Sequence, residues 1–134
     1  MKLSGKADCA IRMLLCLAAE KRVVASGELA KRVGINKKYV IDVAAVLRDA
    51  GLLGVTPGPY GGYSLAKPAE SVFLQDILVL FNDTIQCSEL VRSYDHTDTA
   101  VLAADKFYRK VDTAAGGLFA TNTLADVLER GNSE

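Results

Sequence analysis

Ala7, Ala10, Ile11, Leu14, Leu17 and Ala18 recur at steps of three and four, the spacing of one helical face, and predict a helix over residues 6–19. Ser26, with Leu29 three residues on, is a good N-cap for a short helix over 26–33 that Gly34 ends. Ile35 follows, and Asn36 caps a third helix running to about residue 50. Its buried stripe is Val40, Val43, Ala44 and Leu47, and Gly51 ends it as a C-cap residue. Two short helices joined by a tight Gly-containing turn have the layout of a helix-turn-helix, although a plain three-helix bundle shares that spacing. The hydrophobic period then changes. Leu52-Leu53-Gly54-Val55-Thr56 reads as a strand, residues 57–62 as a dense turn, and Tyr63-Ser64-Leu65-Ala66 as the returning strand. A β-hairpin directly after a helix-turn-helix is a wing.

Beyond Lys67-Pro68, the residues Leu74, Ile77, Leu78 and Phe81 fit a short amphipathic helix. Residues 82–97 lack periodicity and read as an exposed segment. Past them, Ala100, Ala104, Phe107, Val111, Ala114 and Leu118 alternate in steps of four and three, a heptad-like seam within a helix over 98–118. Lys106, Arg109 and Lys110 lie off the seam. Such a helix, with small residues on its one apolar seam, wants a partner helix. Gly116-Gly117 weakens its C-terminal end, and a short helix over 123–128 can pack back across it. The expected fold is mainly α with a small β-hairpin wing: a winged helix-turn-helix followed by a long C-terminal dimerisation helix. The expected division is a winged helix-turn-helix over 1–68, a linking helix and sensing segment over 69–97, and a dimerisation helix with tail over 98–134, all within one compact domain.

Composition narrows the function classes. The chain has 134 residues, 50% hydrophobic and 24% charged, which suits one globular domain. Sixteen basic and sixteen acidic side chains cancel overall, but unevenly. Residues 1–66 carry ten Lys/Arg against five Asp/Glu, a net of +5, and residues 67–134 carry six against eleven, a net of −5. A basic first half points to a polyanion-facing surface. Three cysteines, Cys9, Cys16 and Cys87, with no CxxC pair, argue against a disulfide scaffold and for a reducing, cytoplasmic home. No apolar run approaches the roughly 18 residues of a membrane span. Asp8 and Arg12 interrupt the N-terminal apolar stretch, so a signal peptide is rejected. With one His, no phosphate loop, no metal-spaced cluster and no nucleophile–base pair, an enzyme is poorly supported.

Four stretches carry a resemblance across nearly the whole chain: Met1-Lys2-Leu3-Ser4, Ala50-Gly51-Leu52-Leu53, Gly61-Gly62-Tyr63-Ser64-Leu65-Ala66-Lys67-Pro68 and Thr123-Leu124-Ala125-Asp126-Val127-Leu128. With them the chain resembles the Rrf2 family of bacterial winged-helix transcription regulators. That family includes iron–sulfur cluster, nitric-oxide and cysteine-metabolism regulators. The resemblance implies a homodimer joined by the helix over 98–118, with the helix over 36–50 entering the major groove of double-stranded DNA at a palindromic operator. A repressor is the expected role.

A recognition helix contacts bases mainly through its N-terminal residues, and its free N–H groups suit phosphates. Here that end is Asn36, Lys37, Lys38 and Tyr39. The lysines reach phosphates or guanine edges, Asn36 caps or bonds a phosphate, and Tyr39 is half core with a free hydroxyl. Ser4 and Lys6, at the start of the first helix, are expected backbone contacts. In the wing, Gly61 and Gly62 admit close main-chain approach and Tyr60 sits at the tip. Pro57 stands where many family members have an arginine suited to narrow minor grooves, which puts that mode of readout in doubt.

Sensing members carry three cysteines before the dimerisation helix as cluster ligands. This chain has Cys87 at the first position and Ser93 at the second, and no third cysteine follows. Asp8 matches the acidic residue that completes the cluster from the opposite subunit in some relatives, and His96 is a nitrogen donor. The plainer alternatives are that Asp8 pairs with Arg12 at i, i+4 and that His96 is a loop residue. One thiolate is too few for an ordinary site, so no cofactor is expected. Cys9 and Cys16 lie about 10 Å apart along one helix, too far for a bridge between them. Bridges between subunits or to Cys87 stay geometrically open. The candidate sensing residues are therefore Asp8, Cys9, Cys87 and His96, the effector being a redox signal, small molecule or protein partner. The competing reading is a protein-interaction module in which the winged helix docks an enzyme or other protein instead of DNA.

Overall fold

The computed structural model describes residues 3–83 and 98–133. Helices α1 (Gly5–Glu20), α2 (Ser26–Val33) and α3 (Lys37–Asp49) are followed by strands β1 (Leu53–Thr56) and β2 (Gly62–Leu65). Helix α4 (Leu74–Leu80) comes next, and α5 (Thr99–Thr121) and α6 (Leu124–Ser133) complete the order. A single 3-10 turn, Ala69–Ser71, precedes α4. The expected fold class, mainly helical with a hairpin wing, is the one the chain adopts.

The apolar stripes that predict the first three helices converge. Met13, Leu14 and Leu17 of α1 meet Leu29 of α2 and Val40, Val43 and Leu47 of α3 in one cluster, each 2% exposed or less. Val72, Ile77 and Leu124 extend the same core, each fully buried. Burying a side chain of this size stabilises by about 1.5–3 kcal/mol, so the triad of helices is held chiefly by this centre.

Helix ends show where local sequence matches the fold and where it does not. Asn36 caps α3 as expected, its Oδ1 accepting from Lys38 N–H at 2.8 Å and Tyr39 N–H at 3.3 Å. Ser26, however, is the first helical residue of α2, and the cap position is Ala25, with no side-chain bond. Backbone alone starts that helix, through Leu29 N–H donating to Ala25 C=O at 2.9 Å. Ala50 is the C-cap of α3, and Gly51 follows it with φ +76°, the left-handed conformation that glycine accepts without penalty.

The wing is antiparallel, with Leu53 opposite Leu65 and Thr56 opposite Gly62. A third segment joins it. Val24 and Tyr63 exchange two backbone hydrogen bonds of 2.8 Å, so the link between α1 and α2 pairs with β2. A Cβ on Gly62 would overlap the Val24 carbonyl oxygen and lie 2.8 Å from Ala25 Cα. Glycine is required there by close approach.

In the second half, α5 runs past Gly116 and Gly117 to Thr121, beyond the expected end at 118. Asp98 caps it from Ala100 N–H at 2.8 Å. At the far end Thr121 Oγ1 donates to Gly117 C=O at 2.6 Å, and Asn122 Nδ2 donates to Leu118 C=O at 2.9 Å. These bonds carry the helix over its glycine pair. Helix α6 does not lie across α5; it packs on α1 and the 3-10 turn. Its start is tied by Leu74 N–H to Asn122 C=O at 3.0 Å and Leu124 N–H to Val72 C=O at 2.9 Å. Thr123 and Asp126 cap each other reciprocally, and the two hydrogen bonds from Thr123 hold the Asp126 carboxyl below its ordinary range.

Candidate nucleic-acid interface

The first turn of α3 projects from the end of the helical triad. Asn36, Lys37 and Lys38 are exposed, and Tyr39 is half-buried with its hydroxyl over Gly5 of α1. A Cβ on Gly5 would lie 3.3 Å from that hydroxyl, so α1 and α3 approach closely here. Between the two helices opens a cleft of about 670 Å³, lined by Gly5, Asp8, Arg12, Ile35, Asn36, Lys38, Tyr39 and Asp42. The structure thus brings Lys6, Asn36, Lys37, Lys38 and Tyr39 to one end of the molecule.

In the basic half the arginines and the lysines differ in their pairing. Each described arginine of residues 1–66 is engaged by a carboxylate. Arg12 pairs with Asp8 at 3.0 Å, Arg22 with Glu28 at 2.5 Å, Arg32 with Glu20, and Arg48 with Asp49 at 3.1 Å. Hydrogen bonds from Arg32 hold the Glu20 carboxyl below its ordinary range. Lys6, Lys37 and Lys38 form no ion pair among the described residues. Moreover, Lys37 and Lys38 stand at the positive end of the α3 dipole, whose first turn has no acidic residue. Two cations there oppose the macrodipole. An incoming anion relieves that conflict.

Ser4 is occupied by structure. Its Oγ accepts from Ala7 N–H at 3.1 Å as the α1 cap, and its N–H donates to Asp83 Oδ2 at 3.0 Å. In the wing, Tyr60 is 95% exposed at the tip, with Gly61 and Gly62 half-buried beside it. No charged residue occurs from Gly54 to Ala66, so the wing presents only apolar and neutral polar groups.

Sequence periodicity passes over two residues of the outward face of α3. Opposite the stripe of Val40, Val43, Ala44 and Leu47 stand Lys38, Ile41, Asp42 and Ala45. Ile41 is 42% exposed and Asp42 is exposed. The four-residue spacing from Lys37 and Lys38 was the available signal.

On α5 no residue is buried. Of the expected seam, Ala100, Phe107, Ala114 and Leu118 are exposed and Ala104 and Val111 are half-buried. A neighbouring stripe, with Val101, Asp105, Tyr108, Ala115 and Phe119 half-buried, faces inward as the helix lies along α4.

Of the candidate sensing residues, Cys87 and His96 lie outside the described residues, as does Ser93. Asp8 is held bidentately by Arg12, whose Nη1 also donates to Val33 C=O at 3.0 Å. Cys9 is fully buried, with its thiol 3.6 Å from the Met13 sulfur. Burial, reinforced by Asp8 and opposed by Arg12, pushes the Cys9 thiol up to about 11. Burial also raises Cys16. Both thiols are protonated at neutral pH and poorly nucleophilic, and a buried Cys9 is withdrawn from any bridge between subunits. Among the described residues no three His, Cys, Asp or Glu side chains converge as a metal site. Among them, too, no helix is long and apolar enough to cross a membrane.

Comparison with known proteins agrees with this geometry. The profile of the Rrf2 family, described as an iron-dependent transcriptional regulator, matches residues 3–130. The chain is 34% identical to protein rrf2 of Nitratidesulfovibrio vulgaris, over 96% of this chain and 87% of that protein. It is 37% identical to the HTH-type transcriptional regulator IscR of Cereibacter sphaeroides, over 63% of this chain and 57% of that protein. In structure it is similar to CymR, the global cysteine regulator of B. subtilis, with a TM-score of 0.80 at 20% identity over 97% of this chain and 98% of that one. T. potens IscR gives a TM-score of 0.73 at 24% identity over 98% and 88%. The chain belongs to the Rrf2 family and is a DNA-binding transcriptional regulator, not an enzyme.

Proposed function

We propose that the chain acts as a cytoplasmic homodimer that represses transcription by placing the first turn of α3 in the major groove of a palindromic operator. The observation that carries this reading is the grouping of charge: the arginines are neutralised in pairs, while Lys6, Lys37 and Lys38 stand together, without a carboxylate partner, beside the capped start of α3. Residues 1–68 form the reading head, 69–97 the link, and 98–134 the dimer element. Two symmetry-related α3 helices then read half-sites about 34 Å, or a multiple of it, apart. The wing lies along the backbone with Tyr60 at its tip.

Replacing Lys37 and Lys38 together by Ala removes four cations per dimer. Binding to operator DNA is expected to weaken by on the order of 10,000-fold, four charge-assisted contacts at about 1.5 kcal/mol each. The slope of log K against log salt should flatten by about 3.6, at about 0.9 per phosphate. Titrations at several salt concentrations measure both. An unchanged slope moves the interface elsewhere.

The dimer reading rests on α5, a helix of 23 residues without one buried side chain, on which Phe107 is 63% and Leu118 60% exposed. Signal reception is assigned to the junction between reading head and dimer helix, by a small molecule or protein partner. Cysteine number argues against a cluster, since four ligands are needed and thiolates are the usual ones. Anaerobic reconstitution with iron and sulfide is therefore expected to give a protein without stoichiometric cluster or visible absorbance. Stoichiometric iron and sulfide, with absorbance lost in Cys87→Ala, would place this chain with the cluster sensors.

A further inference from the structure

We propose that Ile41 and Asp42 read the operator directly, Ile41 against the C5-methyl of a thymine and Asp42 as acceptor for the N4 amino group of a cytosine. This rests on the DNA-binding reading above and assigns its base preference.

The stripe Val40, Val43, Ala44 and Leu47 faces the core, which fixes the rotation of α3 and leaves positions 41 and 42 exposed one turn beyond the two lysines, Asp42 on the rim of the cleft toward α1. Ile41 is a large apolar side chain, 42% exposed on an otherwise polar end of the molecule. On the base edges of the major groove the thymine methyl is the apolar group available to cover it. Asp42 is exposed and makes no hydrogen bond or ion pair among the described residues, although Lys38 stands four residues before it. By contrast Asp49, at the far end of the helix, is held by Arg48 at 3.1 Å.

A free carboxylate carried toward two phosphate strands is repelled unless a donor meets it. Guanine N7 and O6 and thymine O4 are acceptors and add to the repulsion. Adenine offers its N6 donor beside the N7 acceptor, which faces the same carboxylate. Cytosine offers the N4 donor without an adjacent acceptor on its own edge. The carboxylate therefore selects cytosine by excluding the other bases. The two residues are adjacent in the chain, so the thymine and cytosine are expected within one or two base pairs of each other.

The test is selection from randomised duplex DNA by the full-length wild type, Ile41→Ala and Asp42→Asn. Both positions are exposed, and thermal melting confirms that the variants fold. The wild type should enrich half-sites holding the cytosine and thymine. Asp42→Asn should convert the cytosine position to adenine, whose N6 and N7 an amide pairs bidentately, with a change in preference of about tenfold or more. Deoxyuridine in place of the thymine should weaken the wild type about fourfold, the worth of one buried methyl, and leave Ile41→Ala unaffected. If the wild type enriches a sequence but Asp42→Asn enriches the same one and deoxyuridine has no effect, this assignment is overturned while DNA binding stands. If the wild type enriches no sequence, the DNA reading falls and takes the assignment with it.

Discussion

Phe107→Asp is expected to turn a dimer into a monomer. In the isolated chain Phe107 is 63% exposed, midway along a helix with no buried side chain. Ala100, Ala114 and Leu118 stand exposed on the same side, and small residues there let a second helix approach closely. A carboxylate at the centre of such a seam is buried without a partner. That costs about 4 kcal/mol, so the dissociation constant should rise by on the order of 1000-fold. Sedimentation of both proteins at micromolar concentration measures it. The free chain keeps its fold, because Phe107 contributes nothing to the core of one subunit, so helical content should be unchanged. A wild type that sediments as a monomer, or a variant that stays dimeric, removes α5 as the interface.

Gly62→Ala is expected to break the docking of the wing on the link between α1 and α2. The new Cβ meets the main chain of Val24 and Ala25, which no rotamer change can relieve. Either the hydrogen bonds between Val24 and Tyr63 break or the hairpin shifts as a body. A cost of about 3 kcal/mol, at the upper end of overpacking, lowers Tm by roughly 10 °C in a domain of this size. Gly27→Ala is the control, since a Cβ there has no atom within 4 Å. It lies in α2 and should leave Tm unchanged or raise it, because Ala exceeds Gly in helix propensity. Thermal melting of the three proteins decides the matter, and equal Tm values for wild type and Gly62→Ala would show that the docking is slack.

The fold was legible wherever a physical signal was local. The stripes of α1 and α3 repeat every three or four residues, and Asn36 announces α3 because its side-chain oxygen can cap the first free N–H groups of a helix. Less was legible where a distant contact supplies the order. Ala25 begins α2 with backbone alone, and nothing in its side chain marks the site. Gly116 and Gly117 suggest a break, but the carbonyls of Gly117 and Leu118 are met by Thr121 and Asn122, and Phe119 packs on the core. The tail was placed across α5 because its apolar residues show only that it packs, not on what. At the interface, the lysines stand out by charge alone. Ile41 and Asp42 do not, since an isoleucine next to an aspartate on a helix is ordinary until the buried face is known.

The return of α6 to α1 has a consequence for how the protein is made. Leu124 is fully buried in the same cluster as Met13 and Leu29. The centre of the reading head therefore stays open until residue 124 has left the ribosome. Helices α1 to α3 can form early, because their mutual contacts are close in sequence, but they must wait for a plug that is translated more than a hundred residues after α1 begins. By then α5 has also been synthesised. A nascent chain thus completes the core beneath the α3 surface only when α5, with its exposed Phe107 and Leu118, is already present.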